Sequence, residues 1–156
     1  MNINTTIERT LETLGVGLLE TLPCMTVEHS NHSARKKMSK LIRDNVGKHS
    51  GVYIYTNQEM DRVYYVGKAK ELHSRILCHY DESTFNESLW DDGRKGIAGD
   101  KRYGMYPAYF RDYIPGPIVV RWTYIKEEQL RIAVEALLTQ QLRPEFKEFQ
   151  KKFLSD

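Results

Sequence analysis

Cysteines, long apolar runs and targeting segments are scarce or missing in this chain of 156 residues. The two cysteines, Cys24 and Cys78, are too few for the disulfide framework that stabilises small secreted domains. No apolar run approaches the roughly 18 residues of a membrane-spanning helix. The N-terminus lacks the basic and apolar regions of a secretory signal. We therefore expect no membrane partner and a reducing, intracellular location in the cytoplasm.

Excess charge is also missing, because the net charge is only +2. That value is too small to indicate nucleic-acid binding by itself, but the charges are segregated along the chain. Residues 33–48 contain six basic side chains and one acidic one, whereas residues 81–92 contain five acidic side chains and no Lys or Arg. We expect one face of the protein to meet phosphates while another stays in solvent. The basic segment supplies these candidate contacts: Arg35, Lys36, Lys40 and Arg43.

The apolar fraction of 40% is ordinary for a globular domain, and the length suits one domain with a real core. Residues 5–22 carry an apolar stripe of helical spacing, although Gly15 and Gly17 weaken it and Pro23 limits its extent. Residues 24–33 read as a loop, and residues 34–46 read as a second helix with Gly47 as its C-cap. Residues 1–49 are thus predicted to be a helical extension that covers the sheet, contacts DNA or forms a dimer surface.

A β-hairpin is predicted next. Residues 52–55 and 63–66 are all β-branched or aromatic, and residues 56–62 between them are mostly polar and turn-prone. A helix follows over residues 69–80. Residues 81–102 read as a long loop within an insertion at about 81–116, which closes with a short helix after Pro107. A third strand over 118–125 and a helix over 127–142 complete an α+β fold with a three-stranded sheet flanked by helices.

The hairpin and the helix after it bring together groups that suit a phosphodiester. Tyr53 and Tyr65 lie on the two strands, Lys68 follows the second strand, and Arg75 lies on the helix. A phenol is a poor base at neutral pH unless a nearby cation stabilises the phenolate and lowers its pKa, and a guanidinium can hold two phosphate oxygens. Simpler interpretations exist: packed strand tyrosines, a solvated lysine, and an arginine paired with Glu71 on its own helix.

Two tripeptides in this region carry a family resemblance. Residues 51–53 read Gly-Val-Tyr and residues 65–67 read Tyr-Val-Gly. They resemble the two signatures of the GIY-YIG nucleases, with Val in place of each Ile and a spacing typical of the family. Arg75 follows the second tyrosine at the expected distance, Glu135 lies on a later helix, and Pro144 comes after that helix. The resemblance covers residues 50–148. The tripeptides alone would be weak evidence, and the ordered set of Tyr, Tyr, Lys, Arg and Glu at these spacings is what carries it.

The resemblance implies a catalytic set. It assigns the general base to Tyr53 or Tyr65, with Lys68 assisting, and places Arg75 on the scissile phosphate. His79 shares the helix face of Arg75, and some restriction-type members have a histidine near the phosphate there; the alternative is an inert surface residue. Gly67 is expected simply to permit the turn from strand to helix.

The resemblance also implies a metal ion. Glu135 would be the sole protein ligand of Mg²⁺ (or Mn²⁺), where the simpler interpretation is a boundary residue that reaches to water. Many members carry an Asn about twelve residues after this Glu, but here the position is Lys147. Either Lys147 contacts phosphate instead or the site is rearranged. Cys24, His29 and His32 lack the paired spacing of a zinc site.

The function implied is a DNA endonuclease that leaves 5′-phosphate and 3′-hydroxyl ends, with a small, mostly antiparallel three-stranded sheet flanked by helices. The nuclease domain would span residues 50–156, and its partner would be double-stranded DNA. Since the chain ends soon after Glu135, a stand-alone restriction-type enzyme is expected, with a possible homodimer for double-strand cleavage. The alternatives are a nicking or repair nuclease and a non-catalytic DNA-binding domain that keeps the fold.

Overall fold

The computed structural model describes residues 2–16, 24–27, 32–80, 105, 108–115 and 117–155. Its helices are α1 (Ile3–Thr13), α2 (His32–Val46), α3 (Leu72–Tyr80), a short π-helix (Ala108–Tyr113), α4 (Glu128–Leu142) and α5 (Phe146–Ser155). Its strands are β1 (Cys24–Val27), β2 (Gly51–Thr56), β3 (Val63–Ala69) and β4 (Ile118–Tyr124). The predicted α+β class is confirmed.

The strands form one antiparallel sheet in the order β1-β4-β2-β3. Three of them are the predicted strands, and β3 lies at one edge. The fourth, β1, corrects the loop predicted over residues 24–33, because residues 24–27 pair with β4. A run of only four residues carries too little alternation to be recognised, and its partner lies far along the chain. Most of the predicted insertion, residues 81–104, lies outside the described residues.

Local signals set the helix ends. The Asn2 side chain accepts a hydrogen bond from the Thr5 amide at 3.2 Å and so caps α1. This helix begins at Ile3 and ends at Thr13, where the apolar stripe predicted a longer one. Gly47, with a φ of 73°, follows α2 as the predicted C-cap. Arg143 adopts the left-handed conformation after α4, so the chain turns before α5.

A β-bulge explains how Val63 and Val66 can share one face of the sheet although two residues, Tyr64 and Tyr65, lie between them. The register of the hairpin shifts between Tyr55, which pairs with Tyr65, and Thr56, which pairs with Val63. Tyr64 is therefore the extra residue of the bulge. Val63 and Val66 pack on one face of the sheet, whereas both tyrosines pack on the other.

Helices cover both faces of the sheet. On the first face, α1 and α4 pack against apolar strand residues, and this cluster includes Ile7, Leu11, Val52, Ile54, Val134 and Leu138. On the second face, α2, α3, the π-helix and the start of α5 pack around aromatic strand residues, and this cluster includes Ile42, Tyr53, Leu72, Phe110, Trp122 and Phe146. Helices α1 and α2 of the N-terminal extension thus pack on the core. None of the described helices combines the length and apolar character that crossing a bilayer requires.

Candidate functional site

The two signature tyrosines lie side by side on the second face of the sheet. Tyr53 pairs with Gly67 across the hairpin, and Tyr55 pairs with Tyr65. The rings of Tyr53 and Tyr65 have centroids 5.9 Å apart and are tilted by 32°. The hairpin therefore brings both phenols into one aromatic cluster, as the sequence predicted.

Gly67 has a different role from the one predicted. It lies inside β3, and a Cβ atom there would be 2.5 Å from the Tyr53 hydroxyl oxygen and 2.8 Å from Tyr65 Cε1. The Tyr53 ring lies directly over the backbone of Gly67, so a side chain at this position would displace it. The glycine is needed for this close approach between strands and not for a turn.

The two phenols differ in their access to water. Tyr53 is 1% exposed, whereas Tyr65 is only partly buried. The Tyr65 ring packs edge-on against Phe110 at 5.3 Å and against Phe146 at 5.1 Å. Tyr65 is the phenol that solvent reaches more readily.

The lysine and the glutamate meet on the first face of the sheet. Lys68 follows Gly67 in β3, so its side chain points to the face opposite Tyr53 and towards α4. Its Nζ atom lies 3.9 Å from Oε2 of Glu135, with the two side chains 45% and 30% exposed. Partial burial raises the pKa of the Glu135 carboxyl, while the charges of Lys68 and Lys147 act in the opposite direction. At this length and exposure the ion pair is weak.

The chain between α4 and α5 passes around the outer edge of β3. The Glu145 amide donates a hydrogen bond to the Val63 carbonyl at 2.9 Å, and the next residue, Phe146, packs on Tyr65. Lys147 comes directly after Phe146, and its charge acts on Glu135. Tyr65 on one face and Glu135 on the other therefore border the same strand edge, with Lys147 at the segment that crosses it.

A bidentate ion pair holds this crossing segment in place. The Arg62 guanidinium donates to the two carboxylate oxygens of Glu145 at 2.9 and 2.7 Å. This pairing raises the pKa of Arg62, and the Tyr113 hydroxyl also contacts Glu145 at 3.3 Å. Nothing in the sequence marks this pair, since the residues are 83 positions apart and neither lies in a recognisable motif.

Arg75 lies on α3, where the neighbouring Leu72 and Ile76 anchor the helix in the second cluster. Its side chain is partly buried. His79 lies one turn further along the same helix, but its side chain is outside the described residues. Helix α3 begins just after β3, so Arg75 is one short loop away from Lys68 in the chain.

The predicted basic contacts lie on α2. Lys36, Lys40 and Arg43 are exposed and follow the i, i+4, i+7 spacing of one helix face. The side chain of Arg35 is outside the described residues. Since Ile42 faces the core, the basic stripe is available to a partner.

His73, which no sequence motif marks, connects α3 to the end of α2, because its amide donates a hydrogen bond to the Gly47 carbonyl at 3.2 Å. Burial lowers the pKa of its imidazole, the nearby Glu71 opposes this shift, and Lys48 and Arg43 add to it. Its Nδ1 atom is 3.2 Å from a Glu71 carboxylate oxygen. The basic face of α2 therefore extends to the start of the helix that carries Arg75. The only sequence signal was its position two residues before that arginine.

The described part of this edge offers one carboxylate as a metal ligand, that of Glu135. Among the described residues, no three His, Cys, Asp or Glu side chains are grouped so that they could hold a metal ion. Mg²⁺ is commonly bound through one or two carboxylates, with water and substrate phosphate as the other ligands. Glu135 is half-buried and fits as that one carboxylate. Cys24, His29 and His32, the residues considered for zinc, cannot be placed around a metal ion. His29 lies outside the described residues, as do the side chains of Cys24 and His32.

No protein-family model, curated protein or solved structure matches the chain.

Proposed function

We propose that this protein is a Mg²⁺-dependent (or Mn²⁺-dependent) DNA endonuclease of the GIY-YIG type. It hydrolyses phosphodiester bonds to 5′-phosphate and 3′-hydroxyl ends, and it cuts at specific sites in the manner of type II restriction enzymes. The observation that carries the proposal is the packing of Tyr53 and Tyr65 against Gly67 on one face of β3, with the Lys68–Glu135 pair on the other face of the same edge strand.

The general base is assigned to Tyr65. Its partial exposure lets water approach, whereas Tyr53 is almost fully buried and supports the ring of Tyr65. The Tyr65 phenolate takes the proton from water, the new hydroxide attacks phosphorus in line, and the 3′ oxygen leaves and takes a proton from solvent water to become the 3′-hydroxyl. Lys68 lies on the other face of β3 beside Glu135, so its ammonium would act on the phenolate only around the strand edge.

The guanidinium of Arg75 stabilises the negative charge that develops on the phosphate, because its planar fork can hydrogen-bond two phosphate oxygens. His79, which follows Arg75 by four residues on α3, is proposed as a second phosphate contact. Mg²⁺ held by Glu135 would supply further charge stabilisation at the leaving oxygen. These roles need all three groups near β3, which α3 contacts from one face and α4 from the other.

Double-stranded DNA is the proposed partner. Its phosphates would lie along the stripe of Lys36, Lys40 and Arg43, and Arg35 on the same helix would add to it. Lys147, at the strand edge, would bind a phosphate close to the cut. A double-strand cut requires two active sites, so a homodimer or a transient pair of copies is part of the restriction-type proposal.

The direct test is cleavage of supercoiled plasmid with Mg²⁺ by the wild type and by Glu135→Gln and Arg75→Ala. The matched control is Glu148→Gln, which removes an exposed carboxylate from α5. We expect discrete fragments with the wild type and the control, and a loss of at least about a hundredfold with the two site variants. Equal cleavage by all four proteins would contradict the assigned roles.

The same assay separates the alternatives. Accumulation of nicked circles without linear plasmid would favour a nicking or repair nuclease. DNA binding without cleavage in Mg²⁺ or Mn²⁺ would favour a non-catalytic binding domain. For binding itself, each of Lys36→Gln and Lys40→Gln is expected to reduce the slope of log affinity against log salt by roughly one, while Lys126→Gln on the loop after β4 leaves the slope unchanged.

A further inference from the structure

We propose that Arg62 reads a guanine base of the DNA through the edge of its guanidinium that the Glu145 carboxylate leaves open. This inference rests on the proposed nuclease function and adds to it a residue that determines sequence specificity. It concerns a cavity at the turn between β2 and β3, which none of the catalytic roles uses. The ligand is the major-groove edge of a G·C base pair.

The cavity beside this turn has a volume of about 210 Å³. Its lining includes Asn57, Glu59, Arg62, Tyr64, Pro115 and Pro117. Pockets for drug-sized ligands measure roughly 300–1,000 Å³, so this one suits a single flat ring. The prolines and the tyrosine offer apolar surface, and the turn offers amide, carboxylate and guanidinium groups. This mixture suits the polar edge of one base.

Contacts on three sides fix Arg62 before any ligand arrives. The Oδ1 atom of Asn57 accepts from the Arg62 amide at 2.9 Å, and the Asn57 amide donates to the Arg62 carbonyl at 3.2 Å. Glu145 holds one side of the guanidinium, and the Cζ atom lies 5.1 Å from the centroid of the buried Tyr64 ring. Because the guanidinium is already ordered, binding through it costs little side-chain entropy.

The ion pair occupies only one edge of the guanidinium. Nε donates to Oε2 of Glu145 at 2.9 Å, and Nη2 donates to Oε1 at 2.7 Å. Within the part of the chain that the structure describes, Nη1 donates no hydrogen bond, so it and the second hydrogen of Nη2 form another pair of parallel donors. The Arg62 side chain is 42% exposed, so a ligand can reach this pair. Guanine O6 and N7, two adjacent acceptors in the major groove, match it.

Charge favours a base over a phosphate, although a phosphate also has two acceptors. The charged groups that act on the Tyr64 phenol are the Arg62 guanidinium and the carboxylates of Glu59, Asp61 and Glu145. One cation thus stands among three carboxylates, and these surroundings repel a phosphate. A base pair has no net charge, and a carboxylate can accept from the amino group of the cytosine that pairs with guanine.

The contact lies close to the bond that is cut. Arg62 precedes Tyr65, the proposed general base, by three residues, which span about 10 Å at most. Successive phosphates of one strand are about 3.4 Å apart along the duplex axis, so the guanine is expected within a few base pairs of the cut.

The test is selection of bound duplexes from a pool with a randomised central segment, with Ca²⁺ in place of Mg²⁺, followed by sequencing. Wild type, Arg62→Gln and Glu145→Gln are compared. The matched control is Arg9→Gln, which removes an equal charge from an exposed position on α1. All four proteins are used at a temperature at which circular dichroism shows them to be folded.

We expect the wild type and Arg9→Gln to enrich duplexes with guanine at one position. In Arg62→Gln the preference for guanine at that position should fall by at least about fivefold, the lower end for a bidentate base contact, while the other positions keep their preferences. Glu145→Gln releases the guanidinium from its fixed orientation and should weaken the same preference without removing it. A purely structural ion pair would leave the base preferences of both variants unchanged.

The second measurement replaces that guanine by 7-deazaguanine, which still pairs with cytosine but lacks the N7 acceptor. Binding of the two fluorescent duplexes is followed by anisotropy. The wild type should bind the modified duplex at least about threefold more weakly, whereas Arg62→Gln should bind both duplexes equally. A loss that persists in Arg62→Gln would assign N7 to another residue and overturn the proposal.

Other results would overturn it as well. Unchanged base preferences in Arg62→Gln would do so, as would an equal loss of affinity for every sequence, which would place Arg62 on a phosphate. A wild type that cleaves plasmid at sites without guanine refutes the Arg62 contact and leaves the nuclease function standing. A wild type that neither cleaves plasmid nor enriches any sequence refutes both.

Discussion

Replacement of Gly67 by Ala is the most direct test of the tyrosine arrangement. The new methyl group would lie 2.5 Å from the Tyr53 hydroxyl oxygen and 2.8 Å from Tyr65 Cε1. Carbon atoms in contact are normally about 3.5–4.0 Å apart, so the Tyr65 ring edge alone must retreat by about 0.7 Å or more. Tyr53 is 1% exposed and packs against Tyr55 at 5.3 Å, so it cannot move outward freely.

The cost of such overpacking is about 1–3 kcal/mol of unfolding free energy. For a chain of this length, each kcal/mol shifts the melting temperature by about 2–4 °C, which gives a fall of about 2–12 °C. Cleavage should suffer more, because a catalytic group that is misplaced by about 1 Å can lose about a hundredfold in rate. Gly67→Ala is therefore expected to reduce plasmid cleavage by roughly that factor at a temperature where the protein is still folded.

The assay is urea denaturation followed by circular dichroism, alongside plasmid cleavage with Mg²⁺. Gly15→Ala is the control, since its methyl group would meet no atom within 4 Å and only the positive φ of 68° is penalised. That variant should lose some stability but retain cleavage. If Gly67→Ala unfolds at the same urea concentration as the wild type, the close approach of Tyr53 to the backbone is refuted.

Three further predictions concern stability. Removing either partner of the Arg62–Glu145 pair should cost about 1 kcal/mol in urea denaturation, because the two hydrogen bonds are bidentate and charge-assisted. Tyr109→Phe should cost about 1 kcal/mol in the same measurement, because the buried hydroxyl that donates to the Tyr64 carbonyl is lost. The unfolding free energy should fall as pH drops from about 6.5 towards the lowered pKa of His73, since the unfolded chain then binds more protons; His73→Gln should remove this part of the pH dependence.

Internal controls exist for these predictions. Glu148 and Lys151 form an ion pair on α5 at 3.4 Å with side chains 72% and 76% exposed, so a double-mutant cycle there should show no measurable coupling. A coupling as large as that of Arg62 with Glu145 would mean that bidentate geometry is irrelevant. An unchanged pH profile in His73→Gln would show that the imidazole does not titrate differently in the two states.

The hairpin and the last long helix were predictable from local pattern alone. Residues 52–55 and 63–66 are β-branched or aromatic without interruption, and residues 128–142 carry an unbroken helical stripe. The bulge at Tyr64 was not predictable, because only the pairing with β2 shows which residue is extra. Strand β1 was missed for a related reason, since its partner residues lie in β4 and nothing local marks so short a strand.

The same distinction between local pattern and tertiary pairing applies to the candidate site. Spacing to the signature tripeptides located Arg75 and Glu135 on their helices, and the structure has both helices there. The close approach of Tyr53 to Gly67 and the Arg62–Glu145 pair depend on strand pairing and chain crossing. The sequence presents Lys147 only as a departure from a pattern, whereas the fold places it directly after the segment that crosses the edge of β3.

The bulge in β3 has a consequence for how this chain tolerates genetic change. Substitution of Tyr64 alters one side chain, but an in-frame loss of its codon would restore simple alternation through the strand. Val63 and Val66 would then be only two positions apart, with Tyr65 alone between them. The strand could keep its valines in the core, but Tyr109 would lose the carbonyl that now accepts its hydroxyl. Deletion of this one codon is therefore expected to disturb the packing of the sheet less than that of the π-helix, which loses the Tyr109 hydrogen bond.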